Sequence, residues 1–238
     1  SDETESATIV RLYTQEFNPY SEKVAATLAL KGLAFERIIS EEPEDVARLS
    51  PIVRTLPVLE IAGRRKADSV KIMKWLDELY PTPTLYSSEP RVAEAQRNLA
   101  DWSDSSFSWY WNRWRTARYP QPGDEAQIDD SLIQRIKEHI GRTLGHTPKT
   151  AADLRELEVI REVQDRMDDL VGFLRDRPFF HSDEPSIADV AIYSMMVVLE
   201  SGPIPGCRDA IAARPTLAAF VDRMSGRIKS LEQSPTSL

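Results

Sequence analysis

The sequence predicts two domains: a mixed α/β domain over residues 1–82 and an all-helical domain over residues 83–238. Three observations predict this. Short β-branched and apolar runs alternate with helical periodicity only in the first third of the chain. Pro81 and Pro83, with Pro90 soon after, block any continuing helix. Beyond them every periodic segment has helical spacing.

Residues 8–13 are apolar and β-branched and read as a first strand, followed by a loop over 14–19. Val24 and Leu28 follow Tyr20 at helical spacing, and Gly32 stops that helix. Residues 34–39 read as a second strand, so the helix before them is the crossover that parallel strands require. Residues 41–45 read as an acidic surface loop. Residues 56–61 are a third strand, Gly63 begins a turn, and 64–67 can form a short fourth strand. Pro57 cannot donate a ladder hydrogen bond. It suits a strand entrance, or a cis bond that turns neighbouring amides toward a ligand. Ser69 opens a helix with Ile72, Trp75, Leu76 and Leu79 on one face.

In the second domain, residues 91–118 read as one long helix, broken by Pro120-Gln121-Pro122-Gly123. Ile133, Ile136, Ile140 and Leu144 mark a shorter amphipathic helix. Leu157, Ile160, Met167, Leu170 and Leu174 mark another long one. Residues 187–199 are the most apolar and are expected at the core of this domain, and residues 217–228 form the last helix.

Composition narrows the function. With 30 basic and 38 acidic residues the formal charge is -8 and the pI about 5.1, which argues against a nucleic-acid partner. No stretch approaches the roughly 20 apolar residues of a membrane span. The acidic, polar start is unlike a secretory leader. Cys207 is the only cysteine, so no intrachain disulfide can form, and a reducing, cytoplasmic location is expected. No metal is expected: there is no multi-cysteine site, and His139, His146 and His181 are scattered. Cys207 itself reads as a buried or loop thiol without a catalytic role.

Four features, in order, carry a resemblance to the cytosolic glutathione transferase family that covers nearly the whole chain. Residues 13–32 resemble the family's strand–loop–helix start, with Asn18-Pro19-Tyr20-Ser21 in place of the usual Ser- or Cys-Pro-aromatic. Thr55-Leu56-Pro57-Val58-Leu59 resembles its cis-proline segment. Asp68-Ser69, with Trp75 to Pro81 beyond, resembles its acid-Ser helix start, and Ser186-Ile187-Ala188-Asp189 resembles the capping motif of its central helix. The resemblance implies a bacterial-type member with a thioredoxin-like first domain, a helical second domain and a homodimeric assembly. It also implies glutathione as co-substrate, no metal, and a role in detoxification.

Each motif also has its own chemistry. Asp68-Ser69 stands at a helix start, where free amides and the dipole favour a carboxylate. There Ser69 can bind the γ-glutamyl carboxylate and Asp68 can accept from its ammonium; the alternative is a plain cap. Thr55, Leu56 and Pro57 form the expected binding segment, with the Leu56 backbone pairing the cysteinyl part of glutathione as a short added strand does. Ser186 and Asp189 have capping-box spacing and are assigned no chemistry.

The thiol-activating slot is Asn18, with Ser21 second and Tyr13 third. A free thiol titrates near about 8.5, so a donor at the sulfur is needed to hold the thiolate at neutral pH. An asparagine amide has donors for this, but it cannot form the mixed disulfide a cysteine could. Ser21 can instead cap the helix, and Tyr13 can be a packed strand residue. Trp102, Phe107, Trp109, Tyr110, Trp111 and Trp114 make one helix aromatic on at least two faces. Trp109, Tyr110, Arg113 and Trp114 are the candidates for the acceptor-substrate site; core packing and a dimer contact remain open for the aromatics, and a solvated face for the arginines. The expected function is a glutathione-dependent transferase acting on a small hydrophobic electrophile. The alternatives are a non-catalytic binding protein of the same fold and a glutathione-dependent lyase or dehalogenase.

Overall fold

The computed structural model describes residues 8–120 and 150–232. The helix expected around Ile133 to Leu144 lies outside them.

The first domain is a four-stranded sheet in the order β2-β1-β3-β4. It is built from β1 (Val10–Thr14), β2 (Glu36–Ile39), β3 (Val58–Ile61) and β4 (Arg64–Ala67). β1 and β2 are parallel and joined by α1 (Pro19–Leu30), the crossover that the sequence demands; the other pairs are antiparallel. α3 (Ser69–Leu79) follows β4, and α2 (Pro43–Leu49) connects β2 to β3. The acidic segment expected as a loop is the first turn of α2. Proline at its N-terminus and acids against the positive dipole end are helix-start signals, and Val46 and Leu49 bury its inner face.

β1 alternates faces. Val10, Leu12 and Thr14 are buried toward α1, whereas Arg11 and Tyr13 point to the α2 side. There α2 covers only a small cluster of Val46, Leu49, Leu56 and Val58, with Tyr13 and Ala67 against it. The rest of that face carries a charge ladder across all four strands. Arg11 bonds Glu36 at 3.2 Å and Glu60 at 3.0 Å, and Arg65 bonds Glu60 at 2.6 Å. On α3, Ile72, Met73, Trp75 and Leu76 are buried, but Leu79, the last helical residue, turns out to solvent.

The second domain consists of α4 (Pro90–Arg118), α5 (Ala151–Leu174), α6 (Ile187–Ser201), α7 (Cys207–Ala212) and α8 (Pro215–Glu232). α6 is the central helix, as its composition predicts, and packs against both α4 and α1. Its start is held by Asp189, whose carboxylate accepts from Phe180 N at 2.7 Å and Ser186 N at 2.8 Å. Burial pushes that carboxyl up to about 6 in spite of these bonds. On α5 the inner row is Leu154, Val159, Val163, Met167, Leu170 and Leu174, while Leu157 and Ile160 are only partly covered. One apolar core runs unbroken from Leu12 and Leu28 through Phe107 to Met195 and Phe220, so the two domains share it. Among the described residues, no helix is long and apolar enough to cross a membrane.

Candidate functional site

Strand register brings three segments to one end of the sheet. Thr14 pairs with Ile39, Tyr13 with Val58, and Val58 with Ala67. The exits of β1 and β4 and the entrance of β3 therefore lie side by side, and Asn18, Leu56-Pro57 and Asp68-Ser69 stand there. The Leu56–Pro57 bond is cis and lies just before β3, so Pro57 breaks no ladder bond.

Asn18 is the N-cap of α1. Its Oδ1 accepts from Tyr20 N and Ser21 N, both at 3.0 Å, and its carbonyl accepts from Glu22 N at 3.1 Å. Its Nδ2 donates to the Leu56 carbonyl at 3.2 Å, so one side chain ties the helix start to the proline segment. Pro19 at the first helical position has no N–H to satisfy. Ser21 N is taken by the cap, and its hydroxyl is fully buried with no hydrogen-bond partner among the described residues.

Asp68 caps α3, its Oδ1 accepting from Val70 N at 2.9 Å. It does so at φ 75°, a left-handed backbone that non-glycine residues adopt only when the surroundings impose it. Ser69, the first residue of α3, is partly exposed, and Thr55 is exposed. Tyr13 is turned away from Asn18: its ring lies under the Arg65 guanidinium, 5.5 Å from the ring centroid, and against the α2 cluster.

A polar cluster missed in the sequence joins the domains one turn into α1. Tyr20 Oη lies 2.6 Å from Ser108 Oγ and donates to the Asp104 carbonyl at 3.2 Å. Lys23 Nζ, almost wholly buried, pairs with Asp104 at 2.6 Å. Burial pushes both the Tyr20 hydroxyl and the Asp104 carboxyl up from their ordinary values. A signal was present: Asp104, Ser108 and Trp111 recur at helical spacing on one face of α4.

The four residues expected at the acceptor site have different surroundings. Tyr110 and Trp114 are buried in the core, because their face of α4 meets α5 rather than the first domain. Arg113 pairs with Glu158 at 2.7 Å, and Trp114 Nε1 donates to Glu156 at 3.2 Å. Arg118 also pairs with Glu156, at 2.5 Å. Trp109 is exposed, with its ring edge-on to Tyr110. The aromatics nearest the first domain are Phe107, edge-on to Tyr20, and Trp111, stacked on Phe107. Cys207 is buried and its thiol is pushed up to about 12, so it stays protonated.

A four-stranded thioredoxin-like domain whose helix start and cis-proline segment meet, docked on a helical domain with a capped central helix, defines the glutathione transferase fold. The comparisons agree with that class. The glutathione S-transferase N-terminal domain model matches residues 12–84 and the C-terminal domain model matches residues 136–231, together more than half of the chain. The chain belongs to the glutathione S-transferase family.

A probable glutathione S-transferase of Oryza sativa subsp. indica is 30% identical over 95 residues, which are 37% of this chain and 41% of the relative. The chain thus matches about two fifths of the length of that curated relative. A glutathione S-transferase from Methylobacterium radiotolerans, solved in complex with glutathione sulfonate, is 25% identical with a TM-score of 0.64, covering 96% of this chain and 95% of that one. The β-etherase LigF from Sphingobium sp. strain SYK-6 shares the fold at 22% identity and a TM-score of 0.63, over 94% and 98% of the two chains.

Proposed function

We propose that this protein is a glutathione transferase that binds glutathione at the converged end of the sheet and holds its thiol as the thiolate. The observation that carries this is the Asn18 link: one amide caps α1 and reaches the Leu56 carbonyl beside the cis proline. Its second N–H has no partner among the described residues and is a donor for a sulfur lying over the cap. The thiol proton leaves to solvent, and the thiolate forms a C–S bond to a small hydrophobic electrophile, whose leaving group departs with the bonding pair. The Leu56 backbone pairs the cysteinyl unit, with Thr55 and Pro57 flanking it. Ser69 and the α3 dipole receive the γ-glutamyl carboxylate, and Asp68 takes the ammonium on the oxygen its cap leaves free. Ser21 lies behind the cap and supports Asn18. The Methylobacterium radiotolerans relative, solved with glutathione sulfonate, supports glutathione as co-substrate; the bacterial-type reading of the Asn-Pro-Tyr-Ser segment rests on its resemblance alone.

A second reading, a fold that binds glutathione without activating it, is favoured by one observation: Asn18 is already occupied as a cap. Calorimetry with glutathione tests the first reading. Ser69→Ala should weaken glutathione binding by about tenfold, the value of one hydrogen bond to a charged group. Unchanged binding with a lowered melting temperature makes Ser69 only a helix-start residue.

We also propose a cytoplasmic homodimer with a detoxifying role, in which the first domain of one subunit faces the second domain of the other. Ile52, 94% exposed, and Val70, 64% exposed, are apolar side chains of the first domain available for such a contact. Light scattering at micromolar concentration should give twice the chain mass; a monomer removes the claim.

A further inference from the structure

Tyr20 belongs to two structures at once. Its backbone N–H donates to Asn18 Oδ1 at 3.0 Å, as part of the cap on α1. Its side chain crosses to the second domain, where Oη donates to the Asp104 carbonyl at 3.2 Å and lies 2.6 Å from Ser108 Oγ. With the phenol proton on the carbonyl, Ser108 is the donor of the shorter bond. Burial holds the Tyr20 hydroxyl above its ordinary value, so it stays protonated while a thiol titrates.

Helical spacing on both sides puts these groups in register. Tyr20 and Lys23 are three apart on α1, and Asp104, Phe107 and Ser108 follow at i, i+3 and i+4 on α4. The Tyr20 ring stands edge-on to Phe107, with 6.3 Å between centroids. Lys23, 3% exposed, closes the seam with its 2.6 Å bond to Asp104. Ring, hydroxyl and backbone of Tyr20 are thus all fixed, in the first turn of a helix, where helices otherwise fray.

The Asn18 amide is planar, so its orientation follows from the bonds it makes. Its oxygen is held by Tyr20 N and Ser21 N, and its nitrogen by the Leu56 carbonyl. Of these three anchors, Tyr20 is the one whose side chain is gripped by α4. Hydrogen bonds weaken steeply as their angle closes, so a small rotation of the amide misdirects its remaining N–H.

We propose that Tyr20 and Ser108 are positioning residues for thiol activation: through their paired hydroxyls the second domain aims the Asn18 N–H at the glutathione sulfur. The inference rests on the glutathione reading above and adds to it a part played by α4. Both hydroxyls act through Asn18 and not on the sulfur.

The test compares wild type with Tyr20→Phe, Ser108→Ala, the double variant and Ser108→Thr. Three quantities are measured: glutathione affinity by calorimetry, thiolate absorbance of bound glutathione against pH, and the NMR signals of the Asn18 side-chain amide without ligand. Tyr20→Phe keeps the ring on Phe107, and Ser108→Ala removes only a hydroxyl, so neither endangers the fold. Each should raise the midpoint of the bound thiol by about half a unit, about threefold in its ionisation constant. Affinity below the midpoint, where the protonated thiol binds, should stay within about twofold. The double variant should match Tyr20→Phe, because the two hydroxyls act as one unit. Ser108→Thr keeps the hydroxyl and should titrate as wild type. Both deletions should move the Asn18 amide signals, and Ser108→Thr should leave them in place. Lowered melting temperatures with an unmoved midpoint make the pair a structural contact and overturn the inference. A moved midpoint with the Asn18 signals in place also overturns it, because the hydroxyls would then act on the sulfur directly. A wild-type midpoint at the free thiol's value removes the glutathione reading and this inference with it, whereas a lowered wild-type midpoint that neither deletion moves removes this inference alone.

Discussion

The Asn18 amide has four hydrogen-bonding capacities, two on oxygen and two on nitrogen. Three are used, by Tyr20 N, Ser21 N and the Leu56 carbonyl. The fourth, an N–H with no partner among the described residues, is the donor proposed for the glutathione sulfur, and this division makes the role separable by mutation. Asn18→Asp keeps the acceptors and hence the cap, but removes both donors and sets a negative charge beside the sulfur. Its cap should survive, but the lost bond to the Leu56 carbonyl should lower stability by about 1 kcal/mol, while the bound thiol titrates above free glutathione. Asn18→Ala should lose about 1 kcal/mol more, because the cap goes as well, and raise the bound thiol by roughly one to two units. Thermal melts and thiolate absorbance against pH separate the two effects. A change in the melts alone would make Asn18 structural. Asparagine before proline is legible in the sequence as a cap followed by a first helical residue. Its bond to Leu56 is not, because it spans 38 positions and depends on the docking of β3 against β1.

Elements with strong terminal signals were legible, and contacts between elements were not. α6 was readable because Ser186 and Asp189 mark its start and its residues are apolar on every side. α2 reads as a loop in the sequence because its exposed acids outweigh its short buried stripe, although proline and acids together mark a helix start. The aromatic residues of α4 were legible as a cluster, but their direction depends on α5, which arrives from far along the chain. The cross-strand ladder belongs to this scale as well. The Arg65 hydrogen bond, then that of Arg11, holds the Glu60 carboxyl below its ordinary value of 4.5 despite some desolvation. A carboxyl lowered in the folded state stabilises the protein above its unfolded value, and that contribution is lost as pH falls through the folded value. Wild type should therefore lose more stability than Arg65→Gln does as pH falls from above 4.5 through the lowered folded value. Parallel melting curves over that window would remove the ladder from the account.

Across the whole molecule, the polar contacts between domains are concentrated on α1. Tyr20 and Lys23 fasten its first turns to α4, and Lys31 at its end, with its side chain fully buried, donates to Asp77, the Tyr80 carbonyl and the Pro83 carbonyl. One helix thus carries the cap at the thiol position, the seam to the second domain and the anchor of the linker. Asn18 sits where this helix meets the sheet, so in the proposed function binding and activation depend on one helix start. The most direct test of that account is the pH titration of thiolate absorbance for glutathione bound to the wild-type protein. Donation from Asn18 to the sulfur puts the midpoint roughly one to two units below the free thiol's value of about 8.5. Saturating glutathione that titrates at the free value would contradict it.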